Sequence, residues 1–218
     1  MRIVGLTDIH GNLNGIERMK TVLAAADIVF LVGDITNFGY APDVSRVIDR
    51  VRDHAGRILA VSGNCDYPEV DRFLDGEEIN LHARGETIDG IGFVGVGGSL
   101  ITPFNTPNEY SEAELTGFLE RGKSQLPPET PSVLISHQPP LNTGCDRIDA
   151  GIHVGSLAIR EFIESHQPLV CFTGHIHESV GIDRIGKTWI VNPGQLARGK
   201  YAFAEIIGNE AIVEIREG

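Results

Sequence analysis

Three cysteines, one tryptophan and 6% aromatic residues are little for a chain of 218 residues. Cys65, Cys145 and Cys171 are odd in number, far apart and in no C-x-x-C pair. That spacing argues against a disulfide framework and against a thiolate zinc cluster, and it suits a reducing compartment. No apolar run approaches the ~20 residues that a membrane span needs. The chain opens with RIVGLT, a strand from residue 2, where a leader would place a basic segment and then an apolar one. A soluble, cytoplasmic protein is therefore expected. Positive charge is also scarce: 18 basic residues face 30 acidic ones, for a net charge of −12. Such a surface repels long nucleic acids and anionic membranes. An anionic substrate has to be small, or drawn in by a local positive charge.

What is present is enough hydrophobic sequence, 41%, for one sizeable core, and a single domain over 1–218 is expected. Apolar runs at 2–7, 27–32, 57–62, 91–96, 132–136 and 169–173 read as strands. Helical spacing predicts helices over 14–25 and 42–54, the second with Pro42 at its start. Ser111 and Glu114 have the spacing of a capping box for a third helix, and Ser156 caps a fourth that runs to about Ser165. The last forty residues change character and read as two hairpins, turning at Ile185-Gly186 and Gly208-Asn209. The alternation places the chain in the α/β class. Residues 98–110, rich in Gly, Pro and Asn, read as a long surface loop.

The polar residues fall in a pattern that packing does not explain. TDIH follows the first strand, GD the second, GNCD the third, SHQPP the strand at 132 and GHIH the strand at 169. In a sheet with parallel strands these ends share one edge, where α/β folds place their sites. An Asp after one strand is ordinarily a turn residue, and one histidine is ordinarily a packed one. Five successive strand ends with Asp, His or Asn are a different matter: Asp8, His10, Asp34, Asn64, His137, His175 and His177 converge as a metal site. The D-x-H and H-x-H pairs each offer two-point chelation.

The ordered motifs DIH, GD, GNCD, H and GHIH resemble the calcineurin-like metallophosphoesterase superfamily over residues 8–177, and the GNCD variant resembles its small bacterial and archaeal phosphoesterases. The resemblance implies a two-layer mixed β-sandwich flanked by helices (αββα) and a dinuclear metal centre. Asp8, His10 and His177 would hold one ion, Asn64, His137 and His175 the other, with Asp34 bridging. The implied activity is that of a metal-dependent phosphoesterase, a phosphodiesterase acting on small phosphate esters or nucleotides. The other reading of the same fold is a non-catalytic metal-binding interaction scaffold, which ordinarily accompanies lost ligands. Self-association into a homo-oligomer is compatible with either.

The chemistry also follows from the residues. Two divalent cations bring +4 and the Asp8 and Asp34 carboxylates return −2, so the site keeps about +2. Metals ~3.5–4 Å apart share a water whose pKa falls toward ~7, which provides hydroxide at neutral pH. Oxygen and nitrogen donors of this kind suit manganese, iron, cobalt, nickel or zinc. Cys65 lacks the C-x5-R spacing of a cysteine phosphatase, since Arg72 lies one residue too far, and Asp66, Glu69 and Asp71 oppose a thiolate. Superfamily members often have a histidine at position 65 assisted by an aspartate at position 37, where this chain has Cys65 and Asn37. Both halves of that pair differ, so Cys65 reads as a small spacer beside Asn64. His153, ahead of the helix at Ser156, is the candidate acid, and that helix N-terminus the candidate anion seat. Asn12 either approaches the phosphate or fixes its turn. GVGGS at 95–99 lacks the lysine of a phosphate loop. The loops 98–110 and 138–155 are expected to shape the pocket.

Overall fold

The computed structural model describes residues 1–218. In chain order the elements are β1 (Arg2–Leu6), α1 (Leu13–Arg18), α2 (Lys20–Ala25), β2 (Ile28–Val32), α3 (Ala41–Arg52), β3 (Ile58–Val61), α4 (Pro68–Gly76), β4 (Arg84–Ile88), β5 (Ile91–Val96), β6 (Ser99–Leu100), β7 (Glu109–Tyr110), α5 (Glu112–Lys123), β8 (Ser132–Ser136), α6 (Leu157–His166), β9 (Val170–Phe172), β10 (Gly181–Ile185), β11 (Thr188–Asn192), β12 (Lys200–Ile207) and β13 (Glu210–Glu217). They form a five-stranded sheet in the order β13-β12-β1-β2-β3 and a six-stranded sheet in the order β10-β11-β9-β8-β5-β4, with β6 and β7 as a short separate ribbon.

The apolar strands are buried on both faces, and their period of two decides which layer each side chain joins. Ile28, Phe30 and Val32 of β2 point between the sheets, while Val29 and Leu31 point at helices. On β5, Phe93 joins the same central layer and Val94 and Val96 face outward. Phe30, Phe93 and Phe172 meet edge to face in the middle, with ring centroids 5.0 and 5.7 Å apart. One outer layer packs residues of α1 to α4 on the first sheet, the other packs α5 and α6 on the second. The result is the four-layer αββα arrangement. No helix is long and apolar enough to cross a membrane.

Local differences from the sequence reading have physical reasons. The helix expected over 14–25 is two short ones meeting at Met19, whose ψ of −1° departs from helical geometry and whose side chain is fully buried. Helix α4 was not anticipated; only Val70 and Leu74 bury a face, although Pro68 sits in its first turn. Strand β4, with the mostly exposed sequence RGETI, lies at a sheet edge and carries no apolar alternation. The first hairpin turns at Gly186-Lys187, one residue later than expected, because Ile185 pairs with Thr188. The second turns at Gly208-Asn209, between paired Ile207 and Glu210. Within the 98–110 segment, β6 and β7 pair in parallel.

Candidate metal centre

Strands β1, β2 and β3 run parallel in one sheet, as do β5, β8, β9 and β11 in the other. The segments leaving β1, β2, β3, β8 and β9 carry all seven donors and bring them to one place. The loops are laced together: Asp8 N and His10 N donate to the carbonyls of Gly33 and Asp34, and Gly174 N donates to the carbonyl of His137. Asp8, His10, Asp34 and His175 adopt left-handed backbone, with φ of 51°, 48°, 47° and 66°. Asp and His tolerate that region better than most residues, yet it costs about 1–2 kcal/mol each. Such strain is characteristic of functional sites.

One ligand atom from each of Asp8, His10, Asp34 and His177 lies within 4.8 Å of all the others. His177 Nε2 is 3.0 Å from Asp8 Oδ1, and the rings of His10 and His177 meet edge to face at 5.6 Å. Asn64, His137 and His175 gather on the other side of Asp34. His137 Nε2 lies 3.0 Å from Asn64 Oδ1 and 3.4 Å from Asp34 Oδ1, and the His137 and His175 ring centroids are 5.2 Å apart. The other Asp34 oxygen, Oδ2, is 3.8 Å from His10 Nε2. Asp34 thus turns one oxygen toward each set.

The donors fit metal ions on two further observations. The ring of His137 reaches across from the second sheet, and its Nδ1 donates to the carbonyl of Val32 at 2.8 Å. In the neutral ring that leaves the Nε2 lone pair facing two oxygens, an arrangement that calls for a cation among them. Asn64 keeps its oxygen on that side because its Nδ2 donates to Thr106 Oγ1 at 3.1 Å. The Nδ1 of His10 is buried with no hydrogen-bond partner. Electrostatics agree. Burial would raise the Asp8 carboxyl, but the hydrogen bonds from His177 and the Thr7 hydroxyl are among the contacts that bring it down to about 2. Burial lowers His175 to about 4 and keeps its ring neutral, the form that coordinates.

Several supporting residues were not singled out from the sequence. The Gln195 side-chain amide lies 2.7 Å from His177 Nδ1 and orients that ring; coordination through Nε2 puts the ring proton on Nδ1, where the amide oxygen accepts it. Asp66, fully buried, accepts hydrogen bonds from Ile35 N, Thr36 N and Gly63 N and ties the segment after β2 to that after β3. The glycines of GN and GH are steric requirements. A Cβ on Gly63 would lie 2.0 Å from Asp34 Oδ1, and one on Gly174 would lie 1.8 Å from Thr7 Oγ1 and 2.7 Å from Asp8 Oδ2. The glycine beside each ligand was the available signal.

Of the remaining sequence candidates, Cys65 alone lines the cavity at the donors. His153 Nδ1 pairs with Asp146 Oδ1 at 2.7 Å, and His153 does not line the cavity at the donors. Asn12 caps α1 by accepting from Gly15 N at 2.9 Å, the turn-fixing alternative. The α6 N-terminus is not a free anion seat: the Glu112 carboxylate takes the Leu157 and Ala158 N–H groups at 2.9 and 3.0 Å and the Ser156 hydroxyl at 2.5 Å. Cys65 lines the cavity, and burial together with the Asp34 charge pushes its thiol far above the ordinary range, so it is no thiolate.

A cavity of about 820 Å³ opens over the donors, walled by the segments 100–106 and 148–154. Comparison with known proteins agrees with this architecture. An uncharacterised protein of Methanocaldococcus jannaschii, MJ1162, is 42% identical over 197 residues, covering 88% of each chain. The Escherichia coli phosphodiesterase YfcE is 37% identical over 84 residues, 34% of this chain and 44% of its own. A dimetal phosphatase from Danio rerio has the same fold, with a TM-score of 0.69 at 12% identity, covering 100% of this chain and 96% of its own. A candidate metal-binding group of Asp8, His10, Asp34 and His177 stands after β1, β2 and β9, the family model for the calcineurin-like phosphoesterase superfamily domain matches residues 1–217, and the chain belongs to that superfamily and is a metal-dependent phosphoric ester hydrolase.

Proposed function

We propose that the protein is a dinuclear phosphodiesterase for small phosphate esters, with Asp8, His10 and His177 holding one ion, Asn64, His137 and His175 holding the other, and Asp34 shared. The observation that carries this reading is the placement of Asp34, whose Oδ2 faces His10 and whose Oδ1 faces His137. The kinship with YfcE supports a diester. Two divalent ions, when bound, supply acidification of a shared water and neutralisation of phosphoryl charge. Manganese, iron, zinc, cobalt and nickel all suit the donors. The chain's own residues do the rest. Asp8 enters as a carboxylate. His137 is pinned by Val32 and His177 by Gln195, so neither ring has to reorient during turnover. Asn64 is held open toward the site by Thr106. No imidazole stands at position 65 to protonate the leaving group, which takes its proton from water. We place this single-domain protein in the cytoplasm, a reading supported by three unpaired cysteines.

The test is hydrolysis of bis(4-nitrophenyl) phosphate by purified protein of measured metal content. Activity is expected to vanish on chelation, to return with metal, and to withstand thiol alkylation. Asp34→Asn should lower metal content and abolish turnover. Full activity in protein shown metal-free by elemental analysis would overturn the reading.

A further inference from the structure

The cavity above the donors is unlike a site for a many-charged ligand. Its wall is apolar: Leu100, Ile101, Pro103 and Phe104 on one side, Ile148 and Val154 on the other. Ile101 is 77% exposed and Phe104 81% exposed. Ile101 and Phe104, at the mouth of a cavity on a surface of net charge −12, have no packing role to explain them, and such groups mark ligand contacts. No lysine or arginine lines the cavity, and the acidic side chains outside the candidate donors are Asp149 and Glu178. A second phosphate or carboxylate on a substrate would therefore meet negative charge, while a single phosphodiester charge is met at the donors.

The wall is also held in place. Glu109 Oε1 accepts from Thr102 Oγ1 at 2.6 Å and from Thr106 N and Oγ1 at 2.8 and 2.6 Å. Thr106 Oγ1 in turn accepts from Asn64, and Asn108 N donates to the carbonyl of Asn64. Leu100 N donates to Gln138 Oε1 at 3.0 Å. The segment that carries Ile101 and Phe104 is thereby fixed to a donor residue, so a group held against it sits in register with a phosphate at the donors.

We propose that this wall selects monoanionic phosphodiesters bearing an apolar, aryl-sized substituent and rejects substrates with additional negative charge. The proposal rests on phosphodiesterase activity at the adjacent centre. It is tested with phosphinates, in which P–C bonds replace the P–O ester bonds that a phosphodiesterase cleaves. Dissociation constants are measured by calorimetry on metal-loaded protein for diphenylphosphinate, dimethylphosphinate and bis(4-carboxyphenyl)phosphinate, beside turnover of bis(4-nitrophenyl) phosphate. Diphenylphosphinate is expected to bind at least about tenfold more tightly than dimethylphosphinate, from the burial of its rings. The dicarboxylate should lose most of that gain. Phe104→Ala, at a position too exposed to endanger folding, should reduce the diphenyl-to-dimethyl ratio, and Asp149→Lys should restore binding of the dicarboxylate. Equal affinities for the diphenyl and dimethyl compounds, with turnover intact, would overturn this proposal and leave the phosphodiesterase reading standing. Absence of both turnover and phosphinate binding in metal-loaded protein would overturn the two together.

Discussion

Replacing Glu112 by alanine separates two uses of the α6 N-terminus. In the structure the Glu112 carboxylate accepts from Ser156 Oγ, Leu157 N and Ala158 N, while Ser156 Oγ itself accepts from Ile159 N at 3.2 Å. Leu157 is exposed, so its N–H can turn to water at little cost, but Ser156 is fully buried and Ala158 is 6% exposed. Glu112→Ala leaves those two donors without their partner, at about 1–3 kcal/mol each, and removes a favourable charge at the helix N-terminus worth about 0.3–1 kcal/mol. Allowing for partial relaxation, the total is about 2–4 kcal/mol. For a chain of this size 1 kcal/mol moves Tm by about 2–4 °C, so Tm should fall by roughly 5–15 °C. Glu112→Gln keeps one acceptor oxygen and should recover about half of the loss. Thermal unfolding followed by circular dichroism measures the effect, and bis(4-nitrophenyl) phosphate turnover well below the new Tm measures function. Turnover should stay within a few-fold of wild type, since Glu112 touches no donor. An unchanged Tm would refute the capping argument. Turnover that rises in Glu112→Ala at an unchanged Tm would mean that phosphate competes with the carboxylate for this helix end.

Gly174→Ala puts a methyl group on Thr7 and Asp8 and should weaken metal binding about 10–100-fold, read by elemental analysis at limiting metal; wild-type retention would contradict the steric reading. Cys65→Ala should keep its metals and most of its turnover, and wild type should hydrolyse nitrophenyl esters ~10²–10⁴-fold faster than alkyl esters, because no side-chain acid assists the poorer leaving group. Near-total loss in Cys65→Ala with metals retained would show that the thiol is needed. Burial lowers His82, packed on Phe118 at 4.5 Å, to about 4. The ring is neutral in the fold and takes its proton near pH 6.5 when unfolded, so its contribution is complete above about pH 6.5 and is lost as pH falls toward 4, by up to about 3 kcal/mol. Urea midpoints at pH 7.5, 5.5 and 4.5 should fall more steeply for wild type than for His82→Gln, and parallel curves would exclude this role.

Helices α1 and α2 show why some of the fold was hidden in the chain. Residues 14–25 have helical spacing throughout, and only the burial of Met19 against its neighbours divides them. Strand β4 has no pattern of its own and exists because β5 offers it an edge to pair with. His153 looked free in the sequence, since Asp146 is seven residues away and only the fold of the intervening loop brings it to the ring.

The sequence alone determined the layers and the strand-end positions of the candidate donors. A period of two along the strands assigns Phe30 and Phe93 to one face and Val29 and Val94 to the other, and strand-end motifs place Asp8, His10, Asp34, Asn64, His137, His175 and His177 on one edge. Both are local properties, set by backbone geometry and by residue type next to a strand. Tertiary structure decided which oxygen of Asp34 faces which histidine, that Val32 fixes the His137 tautomer, that Glu112 fills the α6 N-terminus, and that Ile101 and Phe104 wall the cavity. Each of these depends on groups that approach within a few ångströms from distant parts of the chain, and the direction of such an approach is set by how the two sheets and their loops pack.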